Sequence, residues 1–157
     1  MKLILCSVGK PHEAYVKAGI EDFTARLQKY FTTEWLIIAP PKNAASLPVS
    51  ELKKHEAKAI LNQLQQDDQL ILLDEKGKQL SSVELANFIQ QKANESSKRV
   101  VFLIGGAFGV DAIVAKRANH TLSLSKLVFP HMLVRLILAE QLYRACTILN
   151  NEKYHHV

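Results

Sequence analysis

The sequence predicts an α/β fold with a mostly parallel sheet and helices on both faces. Three observations predict it. Short apolar runs alternate with stretches of helical periodicity along the whole chain. Two of those runs, "DQLILLD" at 68–74 and "RVVFLI" at 99–104, are continuously apolar, as strands buried on both faces are. No repeat, low-complexity tract or composition break divides the 157 residues, so a single domain over 1–157 is expected.

Lys2 to Val8 alternates and carries Leu, Ile and Val, which predicts a first strand, and Gly9-Lys10-Pro11 is a turn. From His12 to Phe31 the apolar positions Val16, Ile20, Phe23, Leu27 and Tyr30 fall on one helical face. Glu34 to Ala39 is a second strand, stopped by Pro40-Pro41, with a loop from Lys42 to Leu47. Val49 to Gln66 reads as a helix whose inner stripe is Leu52, Ala59, Ile60 and Leu64, with "SELKKHEAK" outside. After the strand at 68–74, "EKGKQLSS" reads as a loop whose Ser81 or Ser82 caps a helix reaching Asn94. "GGAFG" follows the 99–104 strand and leads into a short helix, about Asp111 to Ala118. The stretch "HTLSLSKLVFPH" opens as a fifth strand with Leu122 and Leu124 on one side, then turns apolar at Leu127-Val128-Phe129 and stops at Pro130. A last helix covers about His131 to Leu149, leaving "NNEKYHHV" as a tail.

The hydrophobic fraction of 48% with 22% charged residues is that of a globular protein, and no run of eighteen apolar residues exists. The start "MKLILCSVGK" is too short and too strand-like for a signal peptide. Cys6 and Cys146 sit in apolar periodic segments and read as buried small hydrophobes in a reducing compartment. A cytoplasmic protein with no membrane partner is expected. The net charge of +5 favours polyanionic partners such as RNA, although no Lys/Arg block concentrates it.

Ligands of open α/β sheets sit beyond the carboxyl ends of the strands. Three such ends stand out: Leu73-Asp74 before "EKGK", Gly105-Gly106 with Gly109, and Ser125 to Pro130. Asp74-Glu75-Lys76 alone reads best as a solvated turn, and the paired glycines are as consistent with a tight turn as with a ligand cradle. The apolar loop is different, because a plain linker does not spend Leu127, Val128 and Phe129 on water. The glycines do not follow the first strand as G-x-G-x-x-G, and no P-loop occurs, so nicotinamide, flavin and nucleoside-triphosphate sites are excluded. Ser123 and Ser125 lack a nucleophile elbow, and His12, His55, His120, His131, His155 and His156 lack metal spacing, so no metal is expected. The last helix is apolar round most of its circumference, which calls for cover on two sides and points to a second subunit. Glu140 and Arg144 have the spacing of an i,i+4 ion pair.

A buried strand ending "LLD" with "GK" after it, then "FLIGGAFG", then "LSLSKLVFPHMLVRLILAEQLYRA", then Tyr154-His155, resembles the ribosomal large-subunit methyltransferase H family of the SPOUT class. The resemblance covers the whole chain. It implies a SPOUT-type fold with a C-terminal trefoil knot and a homodimer. It also implies use of S-adenosylmethionine to methylate N3 of a pseudouridine in the bridging stem-loop of 23S rRNA, on assembled ribosomes. By the same resemblance Leu73, Gly105, Leu124, Ser125, Lys126, Leu127, Val128 and Phe129 hold the cofactor. His131, Arg135, Arg144, Tyr154 and His155 lie near the site, with Arg144 and the Tyr154-His155 tail favoured on the substrate side. His156 stands where the family commonly carries Arg or Lys, and Phe108 where it often carries a small or polar residue. A non-catalytic RNA- or ribosome-binding factor, or a SPOUT enzyme acting on a tRNA, are the competing readings.

Overall fold

The computed structural model describes residues 1–156. Five parallel strands form one sheet: β1 (Lys2–Val8), β2 (Thr32–Ile38), β3 (Gln69–Gln79), β4 (Arg99–Ile104) and β5 (His120–Ser123), in the order β2-β1-β4-β3-β5. The side-chain period of two splits the sheet into two cores. Leu3 and Leu5 of β1, Val100 and Phe102 of β4 and Ile71 of β3 face one layer. That layer contains α1 (Ala14–Leu27), α3 (Ser82–Asn94) and α5 (His131–Leu149). Ile4, Cys6 and Val8, with Val101, Leu103, Leu70 and Leu72, face the other, covered by α2 (Val49–Gln63) and α4 (Ala112–Arg117). The expected α/β fold with helices on both faces is what forms. Cys6 and Cys146 are free and buried, one in each core, and desolvation pushes both thiols up to about 12.

Local chemistry sets most boundaries. Ser81 caps α3 in a reciprocal box: its Oγ accepts from Glu84 N at 3.1 Å, and Glu84 Oε2 accepts from Ser81 N at 2.7 Å. Asp111 Oδ1 accepts from Ile113 N at 3.0 Å and starts α4. Helix α1 begins at Ala14 rather than His12 and closes at Leu27, with the turn to Tyr30 outside it. Helix α2 ends at Gln63, because Leu64 is extended. Its inner stripe also differs from the expected one: Leu52, Glu56, Ala57 and Ile60 are buried, so Glu56 points inward rather than to solvent.

The largest departure is at β3. The segment 75–79, expected as loop, is strand. Leu122 of β5 is in register with both Leu73 and Lys78, so residues 74–77 bulge from the ladder and pairing then resumes at Lys78 and Gln79. The partner that makes this a strand arrives more than forty residues later, which no local pattern announces. Gly77 marks the closest approach. A Cβ there would stand 2.6 Å from the carbonyl carbon of Leu122 and 2.7 Å from that of Thr121. Strand β5 is also shorter than the expected alternation: it stops at Ser123, and Leu122 and Ser123 are both buried.

Chains leaving β1 and β4, neighbours in the sheet, run in opposite directions: β1 leads outward to β2, and β4 leads across β3 to β5. The ends of these strands therefore flank a natural crevice.

Candidate active site

Beyond the carboxyl ends of β4 and β5, beside the bulge in β3, lies a cavity of about 470 Å³, within the size range of small-molecule sites. Three segments wall it: 72–76 of β3, where the strand leaves its ladder with β5, 105–110 after β4 and 123–129 from the end of β5, with His131 and Val134 of α5 at one side. Of the eight residues expected to hold the cofactor, Leu73, Gly105, Leu124, Ser125, Leu127, Val128 and Phe129 line this one cavity. Lys126 is exposed outside it.

Each loop has a local cause. Ser123 Oγ donates to Ser125 O at 2.8 Å, and Ser125 Oγ accepts from Leu127 N at 2.9 Å, so two hydroxyls shape the turn that follows β5. The apolar side chains after that turn do not close on themselves, since Leu127 is 70% and Val128 78% exposed. In the 105–110 loop, Gly106 pairs with Gly109, whose φ of 78° is the left-handed region glycine favours. Gly105 and Gly106 are hemmed in: a Cβ would meet Val110 Cγ1 at 2.8 Å at the first and the Glu56 carboxylate at 2.6 Å at the second. Burial raises the Glu56 carboxyl above its ordinary range, only partly offset by Lys53. Asp74 and Glu75 add carboxylates to the opposite wall, and Asp74 Oδ1 accepts from Lys76 N at 2.8 Å.

The residues expected on the substrate side separate into three places. His131 borders the cavity, and desolvation followed by the Arg135 charge lowers its pKa, so the ring is neutral at pH 7. Arg135 is 1% exposed and does not line the cavity. It reaches β1 instead, where Nε donates to Ser7 Oγ at 2.9 Å and Nη1 donates to Lys10 O at 2.8 Å and His12 Nδ1 at 3.2 Å.

Arg144, Tyr154 and His155 form a third group around Glu140. Glu140 Oε1 accepts from Arg144 Nε at 3.0 Å and from Tyr154 Oη at 3.0 Å. The Arg144 guanidinium lies 4.7 Å from the Tyr154 ring centroid, and its Nη1 meets His155 Nδ1 at 3.4 Å. Arg144 is thirteen residues along α5 from His131, about 20 Å at the helical rise of 1.5 Å per residue. One chain therefore brings the cofactor positions together but leaves this cluster at the far end of α5. Glu56, His12 and the hub role of Glu140 went unread in the sequence. Only the i,i+4 spacing of Glu140 and Arg144 gave a signal, and it was that of a surface pair.

A parallel α/β sheet with one small-molecule cavity beyond its strand ends is an architecture shared by many ligand-binding families, and the match to a family decides among them. The chain belongs to the SPOUT methyltransferases: it matches the family described as "Predicted SPOUT methyltransferase" over residues 1–155. Within that class its relatives are proteins named ribosomal RNA large subunit methyltransferase H. The one from Cytophaga hutchinsonii is 50% identical over 156 residues, covering 99% of this chain and 100% of that protein. The one from Parabacteroides distasonis is 42% identical, covering 99% of both. Among solved structures, a probable methylase family protein from Haemophilus influenzae superposes with a TM-score of 0.54 at 13% identity, over 97% of this chain and 67% of that one. That likeness bears on the fold alone.

Proposed function

We propose that this protein methylates N3 of a pseudouridine in the intersubunit-bridge stem-loop of 23S rRNA, on assembled ribosomes, with S-adenosylmethionine as donor and as a homodimer. The observation that carries the reading is the convergence of seven expected cofactor positions, from three separate segments, on one cavity. The cavity suits the donor. The backbone of the 105–110 loop borders the space, Leu124 and Phe129 supply apolar wall, and Asp74 and Glu75 suit a ligand with cationic groups. When bound, S-adenosylmethionine supplies an electrophilic methyl on a sulfonium, so the chain's work is alignment, exclusion of water and handling of one proton. Transfer would require the base to give its N3 proton to solvent water and its nitrogen lone pair to take the methyl, with the S–C electron pair left on the departing thioether. Arg144 is the group suited to the anion that the deprotonated base becomes, or to a neighbouring phosphate.

The separation along α5 supports the dimer. The Arg144–Tyr154–His155 cluster meets a cavity only if a second chain crosses α5 in the opposite sense. Leu133, Ile137 and Leu136 remain half-exposed on α5, and Leu127 and Val128 remain exposed beside it, which supplies apolar surface for such a crossing. The trefoil knot is part of the same proposal, supported by the close passage of β5 over Gly77. Work on ribosomes makes the protein cytoplasmic.

The test is methyl transfer from labelled S-adenosylmethionine to intact ribosomes lacking the modification, with deproteinised rRNA and tRNA as the other arms and mass mapping of the label. Label on the bridging-loop pseudouridine, from intact ribosomes, is expected. Label on tRNA overturns the substrate, and absence of both label and cofactor binding favours a non-catalytic ribosome-binding factor.

A further inference from the structure

Arg135 carries a charge that the chain leaves unanswered. Its side chain is 1% exposed, yet its three acceptors, the Ser7 hydroxyl, the Lys10 carbonyl and His12 Nδ1, are all neutral. Among the described residues no carboxylate reaches ion-pair distance of it; Glu13 acts on it only from further away. A buried charge with no counter-charge is costly, and folded proteins pair such groups or bring an anion to them. Charges of both signs act around it without touching it. His12 feels Arg135 and Lys17 against Glu21, His131 feels Arg135, and desolvation lowers both histidines. Because the guanidinium donates, His12 Nδ1 must accept, which fixes the Nε2–H tautomer and leaves that N–H as a donor.

The backbone is arranged around the same spot. Gly9 has a φ of 142°, and a Cβ there would stand 3.3 Å from Arg135 Nη2, the guanidinium nitrogen with no acceptor among the described residues. The N-terminus of the nineteen-residue α5 adjoins it, with no side-chain cap and no acidic residue in its first turn. These groups stand at the β1 side of the crevice, and Ser7, Gly9, Lys10, His12 and Arg135 do not line the cavity that holds the cofactor positions.

We propose that the Gly9–His12 loop, backed by Arg135 and the start of α5, is an oxyanion subsite that takes a backbone phosphate of the RNA strand beside the target base. The subsite rests on the rRNA methyltransferase reading, and it accounts for why an arginine is held under a loop rather than in the cavity. Exposed Lys10 adds a mobile cation above the fixed donors.

The experiment compares the protein with its Lys10→Ala and His12→Ala variants. Binding to unmodified ribosomes is measured over a salt series, S-adenosylmethionine binding by calorimetry, and inorganic phosphate binding by shifts of the His12 ring resonances. Each variant is expected to bind ribosomes about tenfold more weakly, as loss of a hydrogen bond to a charged group implies. The Lys10→Ala salt slope is expected to fall by about 1. Cofactor affinity stays unchanged, and phosphate shifts the His12 ring saturably in the unsubstituted protein. Unchanged ribosome binding with an unchanged salt slope overturns the subsite, and a loss of cofactor affinity instead assigns the oxyanion to the carboxylate of the cofactor. If the unsubstituted protein neither binds nor methylates ribosomes, the functional reading fails on its own. The phosphate titration then decides the subsite separately, with an absent or unsaturable shift counting against it.

Discussion

Replacing Gly77 with alanine tests the close packing of the β3 bulge against β5 directly. The added Cβ would lie 2.6 and 2.8 Å from the carbonyl carbon and nitrogen of Leu122 and 2.7 Å from the carbonyl carbon of Thr121, inside the 3.0 Å that Cβ atoms tolerate. All three are backbone atoms of a paired strand, so no rotamer change relieves the clash. Overpacking costs about 1–3 kcal/mol where side chains can shift, and a contact with paired backbone belongs at the upper end, about 3 kcal/mol. At about 2–4 °C per kcal/mol for a chain of this size, Tm falls by about 6–12 °C. The same displacement moves the end of β5 from which the Ser125–Phe129 loop departs, so cofactor affinity falls with stability. Thermal unfolding followed by circular dichroism, with calorimetric titration of S-adenosylmethionine, reads both. Gly109→Ala is the comparison for the melting arm alone, since Gly109 lines the cavity; open space surrounds its Cβ and its penalty is the φ of 78°, about 1–2 kcal/mol. A Gly77→Ala protein that melts within about 2 °C of the unsubstituted one and binds cofactor equally would refute the reasoning.

Tyr154→Phe keeps the ring beside Arg144 but removes the hydrogen bond to Glu140, so methyl transfer falls about two- to tenfold, as a lost hydrogen bond implies, with cofactor affinity unchanged; single-turnover rates and calorimetry check it. Glu56 has a raised pKa, so the folded chain holds its proton more tightly than the unfolded chain does. Its contribution is favourable below the ordinary carboxyl pKa and is lost as pH rises through the raised value. Glu56→Gln therefore raises Tm at pH 7, and the gain shrinks towards pH 4, which melting curves across that range will show. Leu127→Ser leaves a single folded chain within about 0.5 kcal/mol, because the side chain is exposed there. It weakens cofactor or dimer affinity about tenfold or more, since whichever partner covers a leucine gains about 1.5–3 kcal/mol; sedimentation and cofactor titration separate the two.

The legible part of the molecule is the part governed by short-range periodicity. "DQLILLD" and "RVVFLI" announced central strands, and in the sheet β4 and β3 lie side by side with β1 and β5 flanking them. The cap of α3 was legible to within one residue, Ser81 or Ser82, because serine before an apolar periodic run favours that place, while the reciprocal bond to Glu84 came from the structure. The strand character of 75–79 was not, because Gly77 and two lysines carry no strand propensity and the pairing depends on β5. Glu56 was misplaced because a carboxylate in a lysine-rich stretch reads as surface, whereas α2 turns it under Gly106. The cofactor positions came from resemblance and not from spacing; three segments had to converge before seven of them became neighbours. His12 gave no signal, since its role depends on an arginine more than a hundred residues away.

The pairing of β3 with β5 also ties the cavity to the edge of the sheet. Strand β5 is four residues long and has β3 as its one neighbour, and Asn119 Oδ1 accepts from Leu70 N where the two strands meet. An edge strand opens at lower free energy than the central strands of the same sheet. The Ser125–Phe129 wall that β5 carries is therefore the side of the cavity that loosens first. A ligand that fills the cavity would slow amide hydrogen exchange along β5 more than along β1 or β4, which makes that edge a reporter of occupancy.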